Sequence, residues 1–142
     1  MVDSKTAPYA ALLLRVALGV MFIAHGLWLK GFVYTLPGTA QFFESIGLPA
    51  ALAYVVFTAE TAGGILLILG IGSRWVALGL TPILLGAAWA HWGNGWLFTN
   101  QGGGWEYPLF LAVSALVLGL LGDGAYALRL PWVARRSVGS VA

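Results

Sequence analysis

Four ionisable side chains stand out as candidates for chemistry because they lie inside strongly apolar stretches. The chain is 60% hydrophobic and only 8% charged, yet Arg15, His25, Glu60 and His91 interrupt its apolar blocks. A charged side chain at membrane depth costs roughly 2.5–3.5 kcal/mol on insertion scales. Each of these four residues therefore needs a partner or a purpose.

The two histidines are predicted to lie at the same depth on different helices. Counting about 1.5 Å of rise per residue places His25 and His91 about 6 Å below the outer membrane boundary. Three chemistries fit such a pair: axial ligation of a haem, ligation of a metal with Glu60 or Glu106, and hydrogen bonding to a quinone carbonyl. We favour the quinone and predict no metal site, while a structural role for the histidines stays open.

Glu60 is the deepest carboxylate, and we predict that it acts with His25 and His91 as the chemically active group. Gly63 and Gly64 follow one turn later and are expected to leave room beside it. Without a partner, a carboxyl at this depth keeps its proton and can relay it.

The alternative role for Glu60 is structural. Arg15 is expected to lie near the level of Asp123, so we predict an ion pair in which Arg15 holds Asp123 or Glu60. Such a pair would fix the packing of the helices without any chemistry.

Aromatic side chains surround the second histidine. Trp89 and Trp92 flank His91, and flat rings suit an apolar ring ligand, so we predict that both tryptophans and Glu106 help to bind a cofactor. The loop that follows, residues 93–106, combines three consecutive glycines with amides and aromatics. It is typical of an interfacial anchor and equally of a flexible lid.

The elements that position these residues are apolar runs long enough to cross a bilayer core of about 30 Å. The predicted spans are residues 9–29, 50–69, 75–92 and 107–128. Between the first two, residues 31–49 carry a short amphipathic pattern that predicts a helix in the membrane interface. The fold class is therefore all-α: an integral-membrane antiparallel four-helix bundle that forms one domain, residues 1–142. We expect the first span to be retained, since it is too long for a signal peptide.

Charge and cysteine content narrow the function further. Basic residues accumulate on the cytoplasmic side of membranes, and six of the seven fall on one side if both termini are cytoplasmic: Lys5, Arg15, Arg74, Arg129, Arg135 and Arg136. With no cysteine, the chain has no thiol redox centre. The net charge of +2 gives no basic patch for nucleic acid.

Three stretches together resemble the DoxX family of small bacterial and archaeal membrane proteins. They are RVALGVMFIAHGLWLK with Arg15 and His25, FFESIGLPAALAYVVFTAETAGGILLILG with Glu60, and AHWGNGW followed by GGGWEYPLF with His91 and Glu106. The resemblance implies a four-helix protein of the bacterial inner (plasma) membrane. Relatives are described as subunits of a thiosulfate:quinone oxidoreductase or as membrane partners in oxidative-stress complexes.

Three functions remain open at this point, and the sequence leaves undecided whether the chain is an enzyme. The first is a redox-associated subunit that binds a quinone-like ligand near His25 and His91, with Glu60 as proton partner. The second is a non-catalytic scaffold in an oxidative-stress or respiratory complex. The third is a small-molecule or ion transporter, which would need an oligomer because four short helices enclose little volume. The expected partners are the lipid bilayer and either a redox enzyme subunit or further copies of the chain.

Overall fold

Apolar runs separated by glycine and proline fold into five α-helices in the computed structural model, which describes residues 3–128. Helix α1 continues directly into a π-helical segment, and α2 is the short helix between the first two long ones. The bounds are α1 Ala7–Ile23, the π segment Ala24–Val33, α2 Leu36–Ser45, α3 Ala50–Leu69, α4 Ser73–Ala90 and α5 Glu106–Leu121.

The four long helices form a closed bundle. Helix α1 packs on α3 and α4 packs on α5, while contacts of α3 with α4 and of α1 with α5 complete the ring. The buried core comes from all four helices and includes Leu18, Phe22, Leu67, Leu80, Leu84 and Leu118. The prediction of an all-α four-helix bundle with a short helix between its first two members is confirmed.

Two of the helical stretches are long and apolar enough to cross a membrane. They are Ala7–Val33, with 27 residues, and Ala50–Leu69, with 20. Helices α4 and α5 are shorter, with 18 and 16 residues. Many large apolar side chains point outward from the bundle, as expected where the surrounding solvent is lipid.

Small residues let α1 and α3 come close together. A Cβ atom added to Gly19 would lie 2.7 Å from the carbonyl oxygen of Gly64, and one added to Gly64 would lie 2.7 Å from that of Gly19. Further along, a Cβ on Gly26 would lie 2.9 Å from the Cβ of Glu60. Close helix packing at small residues is common in membranes, and here it brings the backbone of the π segment directly against Glu60.

Arg15 ties one end of the bundle together. Its side chain is only 1% exposed. Nη1 donates to the carbonyl oxygens of Leu67 at 2.9 Å and Ile68 at 2.6 Å, and Nη2 donates to that of Ala125 at 2.9 Å. Leu67 and Ile68 belong to the last turn of α3, where the negative end of the helix dipole favours a cation. Arg15 is therefore a structural cap on α3.

The predicted ion pair of Arg15 with Asp123 or Glu60 differs from what the described residues show. Arg15 donates to backbone carbonyls, and the carboxylate of Asp123 instead accepts the backbone N–H of Ser73 at 2.6 Å. Ser73 is the first residue of α4, so a carboxylate there satisfies a free N–H and complements the helix dipole. Depth along the helices correctly placed Arg15 and Asp123 at the same end of the bundle, but each of the two side chains bonds to backbone atoms instead of to the other.

Helix α5 ends earlier than the predicted fourth span. It stops at Leu121, whereas the apolar pattern continues to Leu128. Gly122 has a φ of +84° and Gly124 a φ of +73°, which turn the chain across the end of the bundle. Arg129, Arg135 and Arg136, which support the predicted orientation, lie outside the described residues.

The Asp123 cap gives a testable stability effect. Asp123→Ala should destabilise the protein by about 1 kcal/mol, because the N–H of Ser73 loses its acceptor. Thermal unfolding of the purified protein in detergent measures the loss. Asp123→Asn keeps an acceptor oxygen and should remain close to the parent protein. Equal losses in both variants would show that the charge of Asp123, and not the cap, stabilises the fold.

Candidate functional site

The π segment brings Lys30 close to the candidate residue His25. Its backbone bonds run from residue i+5 to residue i, as in the bond from the N–H of Tyr34 to the oxygen of Leu29 at 2.8 Å. In this register Lys30 reaches back toward His25, and its Nζ lies 3.4 Å from the His25 carbonyl oxygen. Such segments are rare and frequently occur at functional sites.

Glu60 forms an ion pair with Lys30. The Nζ atom of Lys30 lies 2.6 Å from Oε2 of Glu60, and Glu60 is only 5% exposed. The partner offered by sequence reasoning was Arg15, which lies at the other end of the bundle. Lys30 takes that place because the π register directs it back toward α3 and Gly26 lets the two backbones approach closely. A carboxylate in this position has its charge compensated inside the bundle.

Gly63 and Gly64 do not leave the space beside Glu60 that was expected. A Cβ on Gly63 would meet the side chain of Leu80 at 2.7 Å, and Gly64 lies against Gly19. Both positions are filled by neighbouring helices, because closer helix packing replaces the volume that a missing side chain leaves. The open space near Glu60 lies toward α4 and α5 instead.

The ring of His25 has a defined hydrogen-bonding state. Its Nδ1 lies 2.8 Å from the carbonyl oxygen of Met21. A carbonyl only accepts, so Nδ1 carries the proton and donates. The other ring nitrogen, Nε2, makes no hydrogen bond to any residue within 3–128. The ring centre lies 6.0 Å from that of Tyr107 on α5.

His91 is held in the same way by the loop that follows α4. Its Nδ1 lies 3.0 Å from the carbonyl oxygen of Gly102, so this nitrogen also donates. The side-chain amide of Asn94 donates to the carbonyls of Gly102 and Gly103 at 3.0 and 2.9 Å. The loop of residues 91–105 is thus cross-braced by hydrogen bonds, and it presents His91 with Nε2 unbonded to the described residues.

One cavity brings the candidates together. It has a volume of about 390 Å³, and its lining includes His25, Lys30, Glu60, His91 and Tyr107. Small-molecule sites usually span about 300–1,000 Å³ and combine apolar walls with a few polar groups. The remaining walls come mostly from apolar residues of the bundle core and from Gly103 and Gly104 of the loop. We call this space the central cavity.

Three residues predicted to bind a cofactor lie outside the central cavity. The Oε1 atom of Glu106 accepts the backbone N–H of Phe98 at 2.9 Å, which braces the loop. Trp92 is 63% exposed and stacks on Trp105 with ring centres 4.5 Å apart. Trp89 is also exposed. Trp89 and Trp92 lie close to His91 in sequence, but their exposed side chains point away from the cavity.

Lys30 and Tyr107 are the cavity groups that sequence reasoning did not assign to the site. Lys30 lies directly after the predicted first span, residues 9–29, and only the unusual helical register turns it inward. Tyr107 is the first residue of the predicted fourth span, residues 107–128. Its position directly after the glycine-rich loop, at the start of an apolar helix, was the available signal.

The donor set fits hydrogen bonding better than metal ligation. Among residues 3–128 no group of three or more His, Asp or Glu side chains lies close enough to hold a metal ion. Two histidines whose Nε2 atoms make no hydrogen bond to the described residues, and a charge-compensated carboxylate, can instead hydrogen-bond to a polar ligand.

Comparison with known proteins decides the family. The DoxX family model matches residues 10–92, which is more than half of the chain. The chain belongs to the DoxX family. The matched region includes His25, Lys30, Glu60 and His91, and it ends before Tyr107.

Two curated relatives match this DoxX protein. It is 40% identical over 84 residues to the protein named "Putative oxidoreductase CatD" of Bacillus subtilis (strain 168). The matched region covers 59% of this chain and 60% of the relative. It is 27% identical over 130 residues to "Inner membrane protein YqjF" of Escherichia coli (strain K12). This match covers 87% of the chain and 92% of the relative. No solved structure matches it significantly. The chain is an inner-membrane protein of the DoxX family.

Proposed function

We propose that this DoxX protein is a redox-associated membrane subunit whose central cavity binds a quinone-like ring. The observation that carries the proposal is that His25, Glu60 and His91 line one cavity although they come from the π segment, α3 and the loop that follows α4. The name of the Bacillus relative supports a redox role. Because the chain has no cysteine, electrons would come from a bound cofactor or from a partner redox protein.

The histidine tautomers suit both redox states of such a ring. With Nδ1 protonated, the Nε2 atom of a neutral imidazole accepts a hydrogen bond, so His25 and His91 can each accept from a hydroquinone hydroxyl. Once protonated, the same Nε2 atom donates to a quinone carbonyl. Each imidazole can therefore keep its hydrogen bond to the ligand while it takes up or gives back one proton.

Glu60 is the proposed proton partner. Lys30 occupies its Oε2 atom, and Oε1 has no hydrogen-bond partner among the residues described. The carboxylate can therefore accept a proton without breaking its contact with Lys30. The bound ring, the two histidines and Glu60 would then form one proton-transfer network.

The proposal predicts weaker ring binding when a cavity hydrogen bond is removed. His25→Ala and Glu60→Gln should each weaken binding of a tail-less benzoquinone or naphthoquinone by roughly tenfold, since one lost hydrogen bond is worth about 1–1.5 kcal/mol. Equilibrium titration of the purified protein measures the dissociation constant. A lipid extract of the parent protein should also contain bound quinone.

Trp89→Ala is the matched control, because Trp89 is adjacent to the site in sequence but lies outside the cavity. Its ring affinity should equal that of the parent protein. Unchanged affinity in both His25→Ala and Glu60→Gln, or loss of affinity in Trp89→Ala alone, would reject the cavity as the binding site.

The distribution of basic residues bears on how the chain is oriented in the membrane. We infer one membrane domain with four spans and with both termini in the cytoplasm, because Lys5, Arg15 and Arg74 lie at the end of the bundle opposite the central cavity. The site then opens toward the outer half of the membrane.

A further inference from the structure

A second apolar depression lies beside the central cavity on the outer surface of α5. Its volume is about 460 Å³. Its lining consists of Trp96, Phe98, Glu106, Tyr107, Leu109, Phe110 and Val113. We call it the lateral groove. Apart from Glu106, all these side chains are apolar or aromatic, and they come from the loop and from one face of α5.

The lateral groove and the central cavity share a wall. Phe98 and Tyr107 line both spaces, so these two side chains alone are common to the two linings. Phe98 is 63% exposed, and a change of its side-chain rotamer does not require the cross-braced loop to unfold. The two spaces are therefore neighbours that share Phe98 and Tyr107 as a common wall.

The groove faces the apolar surroundings of the bundle. Phe110 is 67% exposed and Val113 is 51% exposed, and both lie in the first two turns of α5. In a membrane protein such outward apolar side chains contact lipid tails. A molecule lying in the groove would thus remain in contact with the hydrocarbon phase while its end reached Phe98 and Tyr107.

We propose that the ligand of this protein is an amphiphile with a polar ring and a long apolar tail, which enters sideways from the bilayer. The ring passes between Phe98 and Tyr107 into the central cavity, and the tail stays in the lateral groove along Phe110 and Val113. This inference rests on the proposed function and adds the class of ligand and its route. A ligand supplied from water would have no use for the groove.

Photolabelling tests the position of the tail. The probe is a quinone ring whose decyl tail ends in a diazirine, added to the intact protein in lipid nanodiscs. We expect crosslinks to residues 109–113, and we expect excess unlabelled tail-less ring to abolish them. Crosslinks confined to other surfaces, or crosslinks at 109–113 that the tail-less ring does not displace, would overturn the proposal.

A substitution that fills the groove gives an independent measurement. Val113→Trp should weaken binding of the decyl-tailed ring at least tenfold and leave binding of the tail-less ring unchanged, because Val113 does not line the central cavity. Val55→Trp is the matched control, since Val55 is 60% exposed on α3 and away from the groove. It should alter neither affinity.

The outcomes separate this inference from the function on which it depends. If the tail-less ring binds the parent protein and Val113→Trp has no effect on the tailed ring, the lateral route is wrong and the proposed function stands. If neither ring binds the parent protein, both are wrong. Equal tenfold losses in Val113→Trp and Val55→Trp would also reject the groove.

Discussion

Arg15→Ala is expected to destabilise this DoxX protein by about 3–5 kcal/mol, which is the largest single-residue effect that the structure predicts. The guanidinium is buried, and three carbonyl oxygens depend on it for hydrogen bonds. Its removal leaves the last turn of α3 and the chain near Ala125 without donors, in a region that little water reaches. In detergent, the midpoint of thermal unfolding should fall by roughly 10–20 °C.

Two further arginine variants test the reason for that loss. Arg15→Lys keeps the charge, but a single ammonium group lacks the fork that serves α3 and Ala125 together, so we expect an intermediate loss. Arg74→Ala removes an exposed guanidinium whose contact with the Leu120 carbonyl is 3.4 Å long, and it should change stability by less than about 0.5 kcal/mol. Arg15→Ala with unchanged stability would contradict the capping role.

Lys30→Met is expected to destabilise the protein by about 3 kcal/mol, because it leaves the Glu60 carboxyl buried without its partner. The second substitution, Glu60→Gln, should then restore part of the loss. In a double-mutant cycle we expect a coupling free energy of about 1–3 kcal/mol between Lys30 and Glu60. Thermal or denaturant unfolding of the four proteins of the cycle provides the measurement.

A second cycle separates the observed pair from the one that depth along the helices predicted. Arg15→Lys and Glu60→Gln should be additive to within about 0.5 kcal/mol, since Arg15 contacts the other end of α3. Strong coupling between Arg15 and Glu60 would show that Lys30 is not the partner of Glu60. Additive stability effects of the substitutions at Lys30 and Glu60 would show the same.

Hydropathy was sufficient to predict the architecture. Apolar runs of about 20 residues fold as helices because every backbone polar group must be satisfied within the membrane, and the short helix before α3 follows from its amphipathic pattern. The end of α5 was missed because apolar residues resume at Ala125, so hydropathy alone extends the predicted span past Gly122 and Gly124 to Leu128. Composition predicts the extent of apolar sequence, while positive φ angles decide where the helix stops.

The candidate site was predictable only in part. Counting residues placed His25 and His91 at one level, and the structure brings both to the central cavity. The partner of Glu60 was not predictable in this way, since the position of Lys30 depends on a π register that an α-helical count does not contain. The prediction that Trp89 and Trp92 share a binding site with His91 failed, because neighbouring residues of a helix point their side chains in different directions.

The hydrogen bonds of Arg15 have a consequence for the order in which the protein is made. Leu67 lies 52 residues and Ala125 lies 110 residues further along the chain. At about 5–20 residues per second, the ribosome adds Ala125 roughly 5–20 s after Arg15. During that interval the first helix carries an uncompensated cation, so we expect it to stay near the lipid headgroups and to settle to its final depth only after the last helix has been inserted.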